Sequence, residues 1–477
     1  MALACMPSHE ARVRIKELEK QHGNRRNLVW AELGSAPLAY AVEYLACLAD
    51  TTQKNLAAGA VDDLTAGYCS YGWQADDSVL RALAQVENSA DIDAVTTAIR
   101  AMYLPWAEES ARYLQQLVDN ASYPGGTCET AKAVAFTSGD CVFFVDGLRF
   151  DAGKRLRRAL EAVGLTVSEE PFWAALPSVT ATGKAAVTPV RDRICGREGS
   201  LDFEPSVADT GQSLKGGYPL KKLLDDAGWS ILDRSAVGDG QGKAWCECGD
   251  IDLEGHNRGW KLAKHLDALI AEIAARIREL VKAGWKRIRV VTDHGWLLVP
   301  GGLPKTDLPG ALTDNRWGRC AALKTGAMSE ERLFPWYWNS SQYFALADGV
   351  SCFRKGEEYT HGGLSLQECL TLHLTVTPGE SVHVAAAIEL TDVVWKGLRC
   401  TVAVDGNDAG LSLDIRSQAG NALSSVVVSS KPLKENGTAS VVVEDEELEG
   451  QEATVVLIDS QGMLLAQYPT VIGGGDR

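Results

Sequence analysis

Short apolar segments that each end in an acidic or imidazole side chain recur along the middle of this sequence. Asp146 follows the apolar run CVFFV, Asp293 and His294 follow IRVVT, and a glycine comes directly after each. A strand that ends beside glycine can present its last side chain to a cleft at the carboxyl edge of a parallel sheet. The pattern therefore favours an α/β protein whose sheet positions a cluster of metal-seeking side chains.

Three further segments carry residues of the same chemical kind, namely Thr180 in LPSVTATG, Asp252 and His256 in DLEGH, and His361 in YTHGG. Asp252 and His256 stand at i and i+4, so in a helix both face one cation. The adjacent Asp293 and His294 point in opposite directions at a strand end, so each can reach a different metal. Two metal ions are the natural interpretation.

Each segment alone also has a plain structural explanation. Asp146 can cap the amphipathic helix predicted for DAGKRLRRALEAVG, and Thr180 can cap another helix. His361 can be a turn residue beside its glycines, and the Asp252–His256 pair can be a solvated helix face. The occurrence of all these segments in one order is what favours a joint metal site.

In this order the segments resemble the alkaline phosphatase superfamily. The phrases VDGLRFD, LPSVTATGKAA, TDHGWLLVPGGLPK, DNRWGRCA and EEYTHGGLSLQE further resemble the PglZ family of BREX-type bacterial phage-defence systems. The resemblance runs from about residue 30 to the C-terminus. It implies an α/β fold with an alkaline-phosphatase-like core, a mostly parallel sheet flanked by helices.

The resemblance also implies two sets of metal ligands, Asp146, Asp293, His294 and the Thr180 oxygen in one, and Asp252, His256 and His361 in the other. Oxygen and nitrogen ligands suit zinc, which we expect, and are compatible with manganese. A hydroxyl held by a divalent cation becomes a nucleophile near neutral pH, so Thr180 is the expected nucleophile.

Phosphoryl transfer needs positive charge beside the phosphate oxygens. Arg149, three positions after Asp146, is the best-placed candidate and the second expected catalytic residue, although an ion pair with Asp151 explains it equally. The other candidates are Lys184, Lys305, Arg316 and Arg319.

The expected function is that of a metal-dependent phosphodiesterase or nuclease acting in antiphage defence, together with other proteins of the defence system. Two alternatives stay open: a phosphomonoesterase or phosphomutase with the same site, and a non-catalytic scaffold of a defence complex. The substrate is a phosphodiester, with nucleic acid as one candidate. A net charge of −16 opposes nonspecific binding to nucleic acid, so such binding is expected to be weak or aided by a partner.

Sequence patterns divide the chain into three predicted domains. Residues 1–130 are predicted to be a helical region, 131–377 the metal-binding catalytic domain and 378–477 a β-sandwich. Within the catalytic domain, residues 185–250 and 301–358 are rich in glycine and polar residues and are typical of lids. We expect Trp336 and Trp338 to pack a satellite core.

No apolar run of about 18 residues occurs, and the N-terminus lacks an export-signal pattern. A cytoplasmic protein that makes no membrane contact is therefore expected. The cysteines lie in scattered apolar segments and should stay reduced.

Overall fold

The computed structural model describes residues 6–474 apart from 133, 309, 311–316, 325–331, 380–388, 406–410, 418, 420–423, 435 and 459–463. The chain forms two compact units, Met1–Gly379 and Glu380–Arg477. The domain boundaries expected near residues 130 and 377 stay predictions. Within the described residues, every helix is too short or too polar to cross a lipid bilayer.

The first unit begins with a layer of helices, as the apolar spacing predicted: α1 Ser8–His22, α2 Pro37–Thr52, α3 Val61–Gly67, α4 Trp73–Ala84 and α5 Ser89–Asn120. Helix α5 starts at a favourable cap, because the Asn88 side chain accepts the backbone N–H of Asp91 at 2.9 Å. The apolar faces of these helices join the same hydrophobic core as the sheet that follows.

An α/β region follows. Its helices are α6 Phe150–Glu161, α7 Thr180–Ala186, α8 Tyr218–Asp226, α9 Ile251–Arg258, α10 Leu266–Lys282 and α11 Leu366–Cys369. Its strands are β1 Asp140–Phe144, β2 Leu165–Trp173, β3 Ile194–Cys195, β4 Ser206–Val207, β5 Ser230–Leu232, β6 Lys243–Glu247, β7 Arg287–Val291, β8 Leu297–Leu298, β9 Cys320–Ala322, β10 Leu333–Trp336, β11 Asn339–Leu346, β12 Tyr359–Thr360 and β13 Leu370–Pro378.

The main sheet has six strands in the order β2-β13-β7-β1-β6-β5. Strands β5, β6, β1 and β7 pair in parallel, whereas β13 is antiparallel to both β7 and β2. Strand β1 is buried along its whole length, as expected for a parallel strand covered on both faces. The expected α/β class with a mostly parallel sheet flanked by helices is confirmed.

The expectation that residues 185–250 form a lid outside the main sheet is wrong in part. Strands β5 and β6 lie in this range, and β6 pairs with β1 at the centre of the sheet. Glycines crowd both sides of β6, with Gly238, Gly240, Gly242 and Gly249 all at positive φ. Those turns give the segment a loop-like composition, which hid a short buried strand.

The second unit is the expected β-sandwich, with strands β14 Glu389–Lys396, β15 Arg399–Asp405, β16 Ser412–Arg416, β17 Lys431–Pro432, β18 Thr438–Val442, β19 Glu452–Ile458 and β20 Leu464–Val471. A three-stranded sheet, β14-β15-β18, and a four-stranded sheet, β17-β16-β19-β20, share one hydrophobic core. The apolar segment 424–430 forms isolated bridges only, and most of the apolar segment 381–390 lies outside the described residues.

A buried polar cluster joins the helical layer to the α/β region. The carboxylate of Asp76, on α4, accepts hydrogen bonds from the hydroxyls of Tyr68 and Tyr103, and its backbone carbonyl accepts from Arg149 at 3.4 Å. Burial raises the pKa of Asp76 to about 6, and Arg149 opposes that rise only in part.

This raised pKa predicts a pH-dependent stability. Protonated Asp76 is favoured in the folded state, so its contribution is present below the ordinary carboxyl pKa and is lost as the pH rises through about 6. As the pH rises to about 6, the free energy of unfolding should fall by about 3 kcal/mol. The variant Asp76→Asn should lack this pH dependence. Urea unfolding between pH 4 and 7 measures this pH dependence, and Asp93→Asn, at an exposed position, is the control. Equal pH profiles for the wild type and Asp76→Asn would contradict the prediction.

Candidate metal centre

The central parallel strands bring two acidic loops to one edge of the sheet. Asp146 lies two residues after β1 and Asp293 two residues after β7, and Phe144 is directly opposite Val291 in the register. The backbone N–H of Gly147 donates to Oδ1 of Asp293 at 3.2 Å, which ties the two loops together. Asp293 is fully buried, and Asp146 is partly exposed.

A small second sheet carries His361 to the same place. Strand β8 follows His294 and pairs with β12, whose last residue precedes His361. The rings of His294 and His361 stack with centroids 3.9 Å apart. Long-range pairing of two-residue strands therefore joins two sequence segments that lie far apart.

Helix α9 supplies the remaining pair. Nε2 of His256 lies 3.5 Å from Oδ2 of Asp252, as the i, i+4 spacing predicted, and 3.0 Å from Nε2 of His361. The hydroxyl of Tyr359 donates to Oδ1 of Asp252 at 2.8 Å. An added Cβ at Gly255 would lie 2.2 Å from the Tyr359 ring, so this close approach requires glycine.

Thr180 is the first residue of α7, and its hydroxyl faces both loops. Oγ1 lies 3.1 Å from Nε2 of His294 and donates to Oδ1 of Asp146 at 3.4 Å. An added Cβ at Gly183 would lie 2.6 Å from the backbone oxygen of Asp293, so glycine lets α7 approach this loop.

Two buried tryptophans fix helix α7 from the other side. Nε1 of Trp336 donates to the Thr182 hydroxyl and Nε1 of Trp338 to the Thr182 carbonyl, each at 3.0 Å. Both rings are buried in the main hydrophobic core rather than in the expected satellite core, and they do not line an entrance.

The donor atoms of the cluster fit a metal ion. Nδ1 of His294 and Nδ1 of His361 each face a backbone carbonyl, of Gly295 at 2.9 Å and Ser178 at 3.1 Å. A carbonyl only accepts, so each Nδ1 carries the proton and each Nε2 presents a lone pair to the cluster. Oδ2 of Asp293 is buried with no hydrogen-bond partner. Converging lone pairs of this kind suit the binding of a cation.

The electrostatics agree with this geometry. Burial raises the pKa of Asp293 to about 7, and burial with the charges of Asp293 and Asp252 holds the pKa of Asp146 well above its usual range. For Asp252, burial is outweighed by His361 and His294, so its pKa is lowered. Burial lowers the pKa of His361 to about 4, which keeps the ring neutral. A divalent cation would relieve the repulsion among these carboxylates.

Two groups have ligand atoms within 4.8 Å of one another, Asp146 with Asp293 and His294, and Asp252 with His294 and His361. All seven predicted ligands are thus brought together, with Thr180 and His256 beside these groups. His294 reaches both groups, although the sequence assigned it to the first alone. The ligand roles themselves stay predictions.

The structure corrects the phosphate-binding role expected of Arg149. Its guanidinium is buried, donates to both oxygens of Asp151 at 2.6 and 2.9 Å, and lies 3.7 Å from the Trp296 ring centroid. The charge of Arg149 is therefore committed to the core and does not face a substrate.

Of the other basic candidates that the structure describes, only Lys184 lies near Thr180. Lys184 lies in the same cleft as Thr180 and pairs with Glu247 at 2.7 Å. Arg319 is buried against Glu368, and Lys305 pairs with Asp307 on the surface, so neither is placed to hold phosphate. Arg316 lies outside the described residues.

Sequence reasoning missed Tyr359, Ser178 and Glu247. Tyr359 and Ser178 each stand two residues from a predicted site residue, and that proximity was the available signal. Glu247 ends β6, a strand that the sequence pattern did not reveal.

No family model matches the chain, and no curated protein does. Among solved structures, the murine ectonucleotide pyrophosphatase/phosphodiesterase 5 matches at 11% identity and a TM-score of 0.33, over 50% of this chain and 87% of that chain. An inactive variant of that enzyme in complex with AMP matches at 10% identity, with the same TM-score and coverage. Similarity at this level carries no argument about the function of this chain.

The close approach of α7 predicts a strong effect of one added methyl group. Gly183→Ala should push Thr180 or Asp293 out of place and weaken zinc binding by about 10- to 100-fold. Zinc bound per chain, measured by mass spectrometry across a titration, reports this. Gly310→Ala is the matched control, because an added Cβ there meets nothing within 4 Å. Equal zinc affinity in both variants would show that the contact does not position the ligands.

The Arg149 assignment predicts a loss of stability without a loss of substrate affinity. Arg149→Met should lower the free energy of unfolding by about 3–5 kcal/mol, because it leaves Asp151 buried and unpaired. Arg149→Lys keeps the charge and should keep KM for a phosphodiester within a few-fold of wild type. A large rise in KM with unchanged unfolding would restore the phosphate-binding role.

Proposed function

We propose that this protein is a metal-dependent phosphodiesterase with Thr180 as its nucleophile. One observation carries the proposal: the Thr180 hydroxyl lies 3.1 Å from Nε2 of His294, the residue that belongs to both groups of ligand atoms. A nucleophile at the junction of two metal-ligand groups is what an in-line displacement at phosphorus requires.

Two divalent ions, zinc by preference, would be held by Asp146, Asp293 and His294 with Thr180, and by Asp252, His256 and His361. When bound, such ions supply Lewis acidity that lowers the pKa of a coordinated hydroxyl and neutralises charge on the phosphate. The histidines are held in the ligating tautomer by the carbonyls of Gly295 and Ser178.

The reaction would take place in two displacement steps at phosphorus. Oγ1 of Thr180 forms a bond to phosphorus, its proton passes to the neighbouring Asp146 carboxylate, and the bond from phosphorus to the leaving alcohol breaks. Asp146 releases this proton to solvent, and the leaving alkoxide takes up a proton from solvent and departs as the alcohol. Water then attacks phosphorus, the Thr180–phosphorus bond breaks, and a proton of that water passes to the Thr180 oxygen and restores the hydroxyl.

Lys184 is the cation best placed to hold a non-bridging phosphate oxygen, because it lies one helical turn after Thr180 in the same cleft. Its partner Glu247 has a lowered pKa, because Lys184 outweighs the effect of burial. Glu247 therefore holds the ammonium at the mouth of the site.

We also propose a cellular role, which rests only on the resemblance to the PglZ family. The protein would act in the cytoplasm as a nuclease or nucleotide phosphodiesterase of a phage-defence system, with other proteins of that system as partners. Phage plating on cells that carry the intact system or its Thr180→Ala variant tests this role, and equal plating would remove it.

The nucleophile assignment predicts a sharp difference between two substitutions. Thr180→Ala should lower kcat for bis-p-nitrophenyl phosphate by about 10³-fold or more, whereas Thr180→Ser, which keeps a hydroxyl, should stay within about tenfold of wild type. Zinc content measured on the same samples separates loss of the nucleophile from loss of the metal.

The matched substrate p-nitrophenyl phosphate tests the diester preference. Faster turnover of this monoester would move the protein to phosphatase chemistry. If zinc binds and neither substrate is turned over above the Thr180→Ala background, the catalytic proposal fails and a scaffold role takes its place.

A further inference from the structure

Two clefts open beside the candidate centre. The first, of about 530 Å³, reaches Thr180 and is walled by α7 and by the start of α8. The second, of about 310 Å³, reaches Asp146 and is walled by β6 and the loop after β5. Lys184, Lys221 and Glu247 line both clefts, so the two clefts adjoin at these side chains. A phosphodiester has two organic arms, and this arrangement offers one compartment to each.

The first cleft has the chemistry of a nucleoside site. Ala181, Ala185, Leu214 and Leu220 give it an apolar lining. The Tyr218 side chain lies at its edge and is 71% exposed, more than the exposed Tyr343 and Tyr468. An exposed aromatic face beside an apolar cleft suits the stacking of a planar base.

The turn before α8 is built to present this ring. Gly216 and Gly217 both have positive φ, at 83° and 79°, and Gly217 is the N-cap of the helix. Such a turn costs other residues strain, so the glycines let Tyr218 begin the helix at the cleft.

Lys221 supplies an uncommitted charge. Among the described side chains, Lys184 is paired with Glu247, but no hydrogen bond or ion pair is found for the exposed Lys221. Lys221 is one turn after Tyr218 on α8, and both line the cleft. A free ammonium one turn from an exposed ring suits a phosphate attached to the stacked nucleoside.

We infer that the first cleft binds a nucleoside arm of the substrate, with Tyr218 stacked on the base and Lys221 paired with a second phosphate on that nucleoside. The inference rests on the proposed phosphodiesterase function and makes the substrate class a nucleotide diester with a further phosphate. Lys184 and the metal-ligand groups are then left for the phosphorus under attack.

Kinetics on matched substrates test the subsite. Bis-p-nitrophenyl phosphate has neither base nor second phosphate, thymidylyl-thymidine has bases alone, and the same dinucleotide with a 5′- or 3′-terminal phosphate has both. Tyr218→Ala should lower kcat/KM for the dinucleotides about tenfold more than for bis-p-nitrophenyl phosphate, whose smaller ring offers less area for stacking. Lys221→Gln should abolish the preference for a terminal phosphate.

Lys222→Gln and Tyr343→Ala are matched controls. Both residues are exposed, have the same side chains as Lys221 and Tyr218, and line neither cleft. Calorimetric binding of thymidine 3′,5′-bisphosphate to the zinc-loaded protein gives a readout independent of turnover, and Tyr218→Ala and Lys221→Gln should each weaken it about tenfold.

The outcomes separate the two proposals. If bis-p-nitrophenyl phosphate is turned over but the Tyr218 and Lys221 variants behave as their controls, the subsite inference is overturned and the phosphodiesterase function stands. If the wild-type protein turns over no diester, the function fails and the inference falls with it.

Discussion

Three carboxylates that the fold holds side by side, Asp146, Asp252 and Asp293, impose the constraint on which the site depends. Neighbouring charges in a region of low dielectric repel strongly, and burial further disfavours the ionised forms of Asp146 and Asp293, whereas the nearby histidines favour the ionised form of Asp252. The carboxylates cannot move apart, because Gly147 donates to Asp293 and Tyr359 donates to Asp252. A cation at this place offsets an electrostatic cost that the folded chain otherwise bears alone.

Much of the remaining structure fixes the direction of the donor atoms. Backbone carbonyls set the tautomers of two histidines, and tryptophans of the 301–358 segment anchor the helix that carries Thr180. The part of this segment that carries Trp336 and Trp338 is thus a structural support, although its composition is typical of a lid.

Although the net charge of the protein is −16, the charges nearest the site would dominate the selection of a substrate. Phosphate would meet Lys184 and Lys221 beside the metal-ligand groups, whereas distant acidic surfaces are screened by salt within about 8–10 Å. A short nucleotide that enters a cleft experiences mainly the nearby ammonium groups. A long nucleic acid would also meet the acidic surface, which opposes its binding.

The sequence by itself determined the chemistry of the site and the class of the fold. A strand that ends in Asp-Gly or Asp-His-Gly and an i, i+4 Asp–His pair are local patterns, and local backbone geometry is enough to place such side chains at a sheet edge or on one helix face. Only the tertiary structure decided that His294 lies between both ligand groups, that Arg149 turns inward to Asp151, and that β6 pairs with β1 within the main sheet. Thr180 and His294 are 114 residues apart, and contacts at such separations depend on how whole elements pack, which no local pattern records.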